Sequence, residues 1–301
     1  MRIAITGATG FVGSTLLDLA SGEGHSVAAL TRREQAPRVR VDWVRGDLAD
    51  RSALRGLCAG ADAVIHVAGV VNAPDAAGFH AGNVEGTRHV LGAARDERVV
   101  RFVHVSSLAA REPSLSLYGQ SKYAAEALVT AGEPGWSVVR PPAVYGPRDT
   151  EMFELFKAAK TGIVPLPPPG RASMIHVADL SRLLLTLAED GTQHGAVFEP
   201  DDGRENGWSH ADMARAIGAA IGRRVRPVHV PAALLRLAAW GDRMMRGAGA
   251  KLTPDRVGYM THPDWTARAE CMPPPTLWQA QIDTREGLSE TARWYRAQGW
   301  L

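Results

Sequence analysis

The sequence predicts an α/β protein built on a doubly wound parallel sheet, with a smaller, mostly helical C-terminal region. Three observations lead there. Short apolar runs alternate with longer helical patterns through the first half of the chain, the runs are apolar on both faces, and most intervening segments are long enough for a crossover helix. With 45% hydrophobic and 22% charged residues, the 301-residue chain has ordinary globular composition and enough length for a substantial core.

Arg2-Ile3-Ala4-Ile5-Thr6 reads as the first strand, and FVGSTLLDLAS from Phe11 as the helix it feeds. SVAALT and VDWVRGD read as strands two and three, and DRSALRGLCA as a helix. AVIHVAG is the fourth strand and NVEGTRHVLGAAR its helix. RFVHVSS is the fifth, the segment Tyr118 to Thr130 is helical, and WSVVRPP is the sixth. After Tyr145, Pro and Gly become dense, as in GIVPLPPPG and MPPPT, so a second region is expected there. MIHVADLSRLLLTLAE followed by AVFEP reads as a helix and strand that return to the sheet edge. The expected division is residues 1–145 with about 173–200, against 146–172 with 201–301, and helical patterns at 209–220, 231–246 and 284–297.

Charge and targeting signals narrow the setting. Thirty-four Lys plus Arg against 32 Asp plus Glu leave a formal charge of +2, which does not suggest a nucleic-acid partner. No run approaches the roughly 18 consecutive apolar residues of a membrane span. The first strand starts directly after Met1, so no signal peptide is expected. The cysteines Cys58 and Cys271 have neither metal-ligand nor disulfide spacing, which fits a reducing, cytoplasmic compartment.

Gly7-Ala8-Thr9-Gly10-Phe11-Val12-Gly13 lies between the first strand and its helix. Glycines there let a pyrophosphate approach backbone N–H groups at a helix N-terminus, whose dipole favours an anion. A dinucleotide site in the first domain follows. The second strand ends Leu30-Thr31-Arg32-Arg33, with guanidiniums where a carboxylate would bind a ribose 2′-hydroxyl. Arg32 and Arg33 therefore point to NADP(H) over NAD(H), a solvated basic loop being the plainer alternative. Asp47 and Leu48, after the third strand, are placed to meet the adenine edge, though Asp47 could equally cap the helix starting near residue 50.

Tyr118 and Lys122 stand four residues apart at the start of a predicted helix, so both fall on one face. A phenol with an ordinary pKa of ~10 needs about 4 kcal/mol of extra anion stabilisation to act near neutrality. One ammonium ~4 Å away at an effective dielectric of ~20 supplies about that much. Ser106 and Ser107 end the fifth strand at the edge where such sheets place ligands, and Ser107 is the better placed to orient a carbonyl, a turn or helix cap being the alternative.

Together these residues resemble the short-chain dehydrogenase/reductase superfamily, in its extended or related atypical branch, the NAD-dependent epimerase/dehydratase family. TGATGFVG, HVAG at 66–69, NVEGT at 83–87, VSS at 105–107, YGQSK at 118–122, RPPAVYGPRD at 140–149 and MIHVADL at 174–180 occur in that family's order. The resemblance implies a Rossmann-like domain and a substrate-binding cap. It also implies Tyr118 as general acid/base, Lys122 as ribose-binding cation and Ser107 as the carbonyl-orienting hydroxyl. Asn83 would support strand and relay, Ala68 and Gly69 would line the cofactor, and Pro141 would flank the nicotinamide. The ending EGLSETARWYRAQGWL resembles the group's terminal helix.

The sequence departs from the family's sugar-modifying members at three places. Leu108-Ala109 follow Ser107 where dehydratases carry Asp-Glu, Ala143 stands where many nucleotide-sugar epimerases carry Asn, and the span from Ser107 to Tyr118 is short. The expected activity is NADPH-dependent hydride transfer between the nicotinamide and a small-molecule carbonyl or secondary alcohol. The alternatives are a sugar epimerase of the same superfamily and a non-catalytic NADP(H)-binding regulatory or assembly protein. Helices near 84–96 and 118–131 resemble the family's dimer interface, so a homodimer is possible, though Ala124 and Ala125 could pack internally.

Other features carry less. His176 and Asp179 have no third ligand at sensible spacing, so no metal is expected. Trp240, Met244 and Met245 form an apolar stripe, with Arg236, Arg243 and Arg246 elsewhere on the helix. Core or lid packing is the main expectation, with a pocket wall or a membrane-surface helix as alternatives. Trp294 and Tyr295 read as structural, and Arg148 as an anion anchor or a turn residue.

Overall fold

The computed structural model describes residues 1–132, 135–192, 194–250 and 252–301. The chain begins with β1 (Arg2–Thr6), α1 (Phe11–Gly22), β2 (Ser26–Thr31), β3 (Val41–Arg45), α2 (Arg51–Cys58), β4 (Ala63–His66) and α3 (Ala76–Phe79). A π-helical turn, His80–Glu85, runs into α4 (Gly86–Asp96), followed by β5 (Arg101–Val105). A 3-10 turn, Leu108–Arg111, precedes α5 (Leu117–Thr130) and β6 (Trp136–Val139). Next come β7 (Ala143–Tyr145), α6 (Glu151–Lys160), β8 (Ile163–Leu166), β9 (Arg171–Ala172), β10 (Met174–His176), α7 (Val177–Glu189) and β11 (Ala196–Phe198). The remainder holds β12 (Trp208–Ser209), α8 (His210–Ala220), β13 (Arg226–His229), α9 (Ala232–Arg246), α10 (Pro254–Met260), β14 (Asp264–Trp265) and α11 (Thr284–Ala297).

Two compact units emerge from these elements. One gathers residues 1–141, 180–199 and 273–278, and the other residues 142–179, 200–272 and 279–301. The first unit contains a seven-stranded sheet of order β3-β2-β1-β4-β5-β6-β11, with every pairing parallel. Strand order reverses at β1, which lies between β2 and β4, and this is the switch point where open α/β sheets bind ligands. Ala4, Val64, Phe102 and Val138 of the strands pack with Leu54 and Leu57 of α2, Val90 of α4 and Val129 of α5. The helix and strand that return late in the chain place β11 at the sheet edge beside β6.

Two buried carboxylates and two half-buried guanidiniums brace this edge. Arg140, just past β6, forks onto Glu126 of α5, with Nε donating to Oε1 at 2.9 Å and Nη2 to Oε2 at 2.6 Å. Its Nη1 reaches Oε1 of Glu199 at 3.3 Å, and the other oxygen of Glu199 accepts from Arg111 Nη1 at 3.1 Å. The charges alternate along the chain of contacts, and the Glu199 side chain is fully buried. Burial of this kind is tolerated because each ion meets an opposite one in good geometry.

In the second unit β7 pairs with β10 and β8 with β13, both parallel, while β9 lies between β12 and β14. Tyr145, Phe156, Met174, Trp208, Ile217, Leu288 and Tyr295 fill its core. Tyr295 donates its hydroxyl to the Asp149 carbonyl at 2.7 Å and stacks on Trp300. Burial pushes the Asp149 carboxyl up to about 7, although it accepts from the N–H groups of Glu151 and Met152 at the start of α6. Asp179 accepts from Gln281 and Ile282 N–H, which sets the approach to α11, and His176 packs edge-on to Tyr145. These contacts give both residues structural work. Packing of Trp240, Met244 and Met245 into a core is not what the structure shows: α9 buries a small-residue side around Ala239 and leaves the large apolar side chains exposed.

Removing one member of this charge chain leaves its partners with fewer counter-charges in a largely dry site. Glu199→Ala is expected to cost about 3–5 kcal/mol, read as a lower urea midpoint at neutral pH. A loss below about 1 kcal/mol would mark these charges as solvated.

Candidate active site

The turn between β1 and α1 is shaped by backbone crowding. A Cβ at Gly13 would stand 2.0 Å from the Gly7 carbonyl oxygen, so only glycine lets α1 close onto the turn. Gly7 itself has φ +73 and abuts the backbone of Val67 and Ala68 past β4. Thr9 and Gly10 are exposed, and Phe11 and Val12 are half-buried. Gly10 is the N-cap of α1 without a side-chain cap, and the first turn carries no acidic residue. Open helix-start N–H groups behind a side-chain-free turn fit a pyrophosphate.

Arg32 and Arg33 follow β2 as exposed side chains with no ion pair among the described residues. Thr31 Oγ1 donates to the Arg33 carbonyl at 2.8 Å and holds this turn. Asp47 is exposed, and its Oδ1 accepts from Ala49 N–H at 2.8 Å. The cap of α2 is Asp50, which accepts from Ala53 N–H at 2.9 Å. Leu48 is half-buried against Gly86 at the start of α4, and its carbonyl meets His89 Nδ1 at 2.8 Å.

At the carboxyl ends of β4 and β5 a tighter cluster forms. Lys122, on α5, is 5% exposed, and its Nζ donates to the Val105 carbonyl at 2.7 Å. Burial pushes this ammonium down to about 8, opposed by Glu126 one turn along the helix. A Cβ at Gly69 would lie 3.7 Å from Lys122 Nζ and 3.0 Å from Asn83 Oδ1, so the absent side chain leaves a space bordered by both groups. Asn83 is buried on the π-helical turn, accepts from Val70 N–H at 2.7 Å, and donates to the Val70 carbonyl and to Ser121 Oγ at 2.8 Å. Ser121 Oγ donates to the Tyr118 carbonyl at 2.7 Å, which connects Asn83 to the first turn of α5. Tyr118 is half-buried, and its ring meets Phe79 at 6.2 Å between centroids.

The helix carrying Tyr118 and Lys122 approaches the 3-10 turn closely. A Cβ at Gly119 would stand 2.6 Å from the Ala109 carbonyl oxygen, so glycine between Tyr118 and Gln120 permits the contact. Ser116 caps the helix by accepting from Gly119 N–H at 2.9 Å. Ser107 caps the 3-10 turn, its Oγ accepting from Ala109 N–H at 3.2 Å, while Ser106 Oγ is buried with no hydrogen-bond partner among the described residues. Pro141 is buried, and its carbonyl accepts from Leu108 N–H at 3.2 Å. The structure thus gathers Ser107, Tyr118, Lys122, Asn83, Ala68, Gly69 and Pro141 on elements of one unit.

Behind the cluster runs a chain of hydrogen bonds that sequence reasoning missed. Thr87 donates to the Asn83 carbonyl at 2.6 Å, so its oxygen accepts from His66 Nε2 at 3.0 Å. His66 Nδ1 then accepts from Thr6 Oγ1 at 2.7 Å, and Thr6 accepts from Ala68 N–H at 3.2 Å. Burial, with Lys122 nearby, pushes His66 down to about 3, and His104 is lowered for the same reasons. Both rings stay neutral, and the positive charge of this pocket rests on Lys122. The available signal was the pairing of Thr6 with His66 and of His66 with His104 in adjacent parallel strands.

The sequence pattern of the NAD dependent epimerase/dehydratase family matches residues 3–199. The chain belongs to that family. The ceramide reductase of Caulobacter vibrioides is 36% identical over 99% of this chain and 96% of its own. A Stigmatella aurantiaca enzyme, 4-hydroxy-2-methyl-3-oxo-4-farnesyl-3,4-dihydroquinoline-1-oxide ketoreductase, is 36% identical over 67% of this chain and 69% of its own. Among solved structures, MoeE5 in complex with UDP-glucose and NAD superposes with a TM-score of 0.75 at 23% identity, covering 99% of both chains. Its likeness shows a shared fold.

The buried ammonium makes a measurable prediction. Native Lys122 releases its proton near 8, whereas an unfolded lysine does so at ~10.5. Between these values the unfolded chain binds more protons, so stability rises with pH. Relative to Lys122→Met, the wild-type protein is expected to gain up to about 3 kcal/mol between pH 7.5 and 10.5 in urea unfolding. Parallel pH curves for the two proteins would place the ammonium in water.

Proposed function

We propose that this chain is an NADPH-dependent reductase that converts a carbonyl on a long-chain, lipid-like substrate into a secondary alcohol. The observation that carries this reading is the cluster on α5, where a buried ammonium lies one turn beyond Tyr118 and borders the space left by Gly69. When bound, the nicotinamide supplies a hydride to the carbonyl carbon. Tyr118 gives its proton to the carbonyl oxygen as that oxygen gains negative charge. Lys122 holds a positive charge near the phenol and stabilises the anion left behind. Ser107 orients the carbonyl through its hydroxyl proton, since its oxygen already accepts from Ala109 N–H. Asn83 contributes through position: its amide fixes both the Val70 loop and, through Ser121, the turn bearing Tyr118.

Gly7, Gly10 and Gly13 would admit the pyrophosphate, with N–H groups at Phe11 and Val12 as donors and Thr9 at the rim. Arg32 and Arg33 would receive the 2′-phosphate, Asp47 and Leu48 the adenine edge, and Ala68, Gly69 and Pro141 the nicotinamide side. Reduction is favoured over dehydration or sugar epimerisation by Leu108-Ala109 and Ala143. The lipid-like substrate class is supported by the names of the relatives above and of a Stenotrophomonas maltophilia relative, 2-alkyl-3-oxoalkanoate reductase, 32% identical over 54% of this chain.

Tyr118→Phe is expected to lower kcat for a long-chain ketone about 10²–10⁴-fold, with NADPH affinity changed little. Loss of NADPH binding instead would assign the phenol a binding role. Arg32→Ala with Arg33→Ala should weaken NADPH about 10- to 100-fold, with NADH nearly unaffected, in fluorescence titrations. Equal weakening of both coenzymes would remove the 2′-phosphate assignment.

A further inference from the structure

We infer that α9 is a docking surface for an anionic lipid bilayer. The helix turns its small side inward, with Ala239 fully buried and Ala232, Leu235 and Asp242 half-buried. Leu234, Leu237, Trp240, Met244 and Met245 are 55–80% exposed. At 3.6 residues per turn these five side chains occupy an arc of about 140°. An apolar face of this breadth left in water marks an interaction site.

Charge selects the partner. Arg236 and Arg243 lie one above the other along one border of the arc, beside Trp240, and neither forms an ion pair among the described residues. Arg246 is paired with Asp242 at 3.2 Å, and Asp242 also accepts from Leu252 N–H. The helix therefore presents cations and an apolar arc while its single carboxylate is engaged. A second copy of α9 could match the apolar arc but would offer no carboxylate to Arg236 and Arg243, whereas anionic headgroups satisfy both. Trp240 at the border between them has an apolar body and a polar N–H, which suits the headgroup boundary. Leu and Met side chains would enter the acyl region, and the arginines would remain at the phosphate level.

Docking would present a water-insoluble substrate to the enzyme, a purpose that rests on the lipid-like reading above. Binding is measured without substrate or coenzyme, so its failure and the failure of that reading are distinguishable. The test is co-sedimentation of the full chain with vesicles of phosphatidylcholine alone or doped with phosphatidylglycerol, alongside sedimentation equilibrium without lipid. The wild-type protein should bind the doped vesicles and release them at high salt. Leu237→Glu with Trp240→Glu should lower binding to doped vesicles at least about tenfold. Arg236→Glu with Arg243→Glu should remove the preference for anionic lipid. These side chains are exposed, and unchanged circular dichroism and NADPH oxidation with a short soluble ketone verify that the variants fold. Absence of wild-type vesicle binding, or binding indifferent to both double variants, overturns the proposal. A lipid-free dimer dissolved by Leu237→Glu with Trp240→Glu, without vesicle binding, also overturns it and identifies a second copy as the occupant.

Discussion

One buried ammonium sets the electrostatics of the cluster at the carboxyl ends of β4 and β5. Lys122 sits where a cation is costly, tied to the Val105 carbonyl and moderated by Glu126 a turn away. Removing its water is also what extends its influence, because an unscreened charge acts strongly on neighbouring titratable groups such as His66 and His104. Burial, with the Lys122 charge adding to it, keeps His66 and His104 neutral, and the bond from Thr87 to the Asn83 carbonyl fixes the donor direction along the threonine-histidine chain. Glu126 is in turn held by the Arg140 fork, so the anion nearest to Lys122 along α5 is itself anchored to the sheet edge.

Much of the architecture was legible in the sequence because periodicity and glycine placement are local signals. The alternation of apolar runs and helical patterns gave the parallel sheet, and the crowding at Gly13 explains why the first turn reads so clearly. Tyr118 and Lys122 were readable from helical spacing, and their company was readable from resemblance. The four-charge chain was not legible, since Arg111, Glu126, Arg140 and Glu199 are scattered along the sequence and look individually like surface residues. The exposure of α9 escaped for the opposite reason. An apolar stripe has the same sequence pattern whether a core or another phase covers it, and only the burial of Ala239 reveals which side faces inward.

The serines past β5 differ in how their hydroxyls are used. Ser107 caps the 3-10 turn with its oxygen and still has a proton to give. Ser106, its buried neighbour, keeps a hydroxyl without a partner among the described residues at the same sheet edge. The cap and the proposed substrate contact therefore need not compete for Ser107, because they use opposite ends of its hydroxyl dipole.

The late arrival of β11 has a consequence for synthesis on the ribosome. Until residues 196–198 emerge, β6 is an open edge, and its hydrogen-bonding groups await a partner far downstream. Glu199 emerges immediately afterwards and supplies the carboxylate between Arg111 and Arg140. The nascent chain thus completes its sheet border and the charge chain on it within a few additions of amino acid, so a truncated translation product ending before this point would display an adhesive strand and lack the carboxylate that joins Arg111 to Arg140.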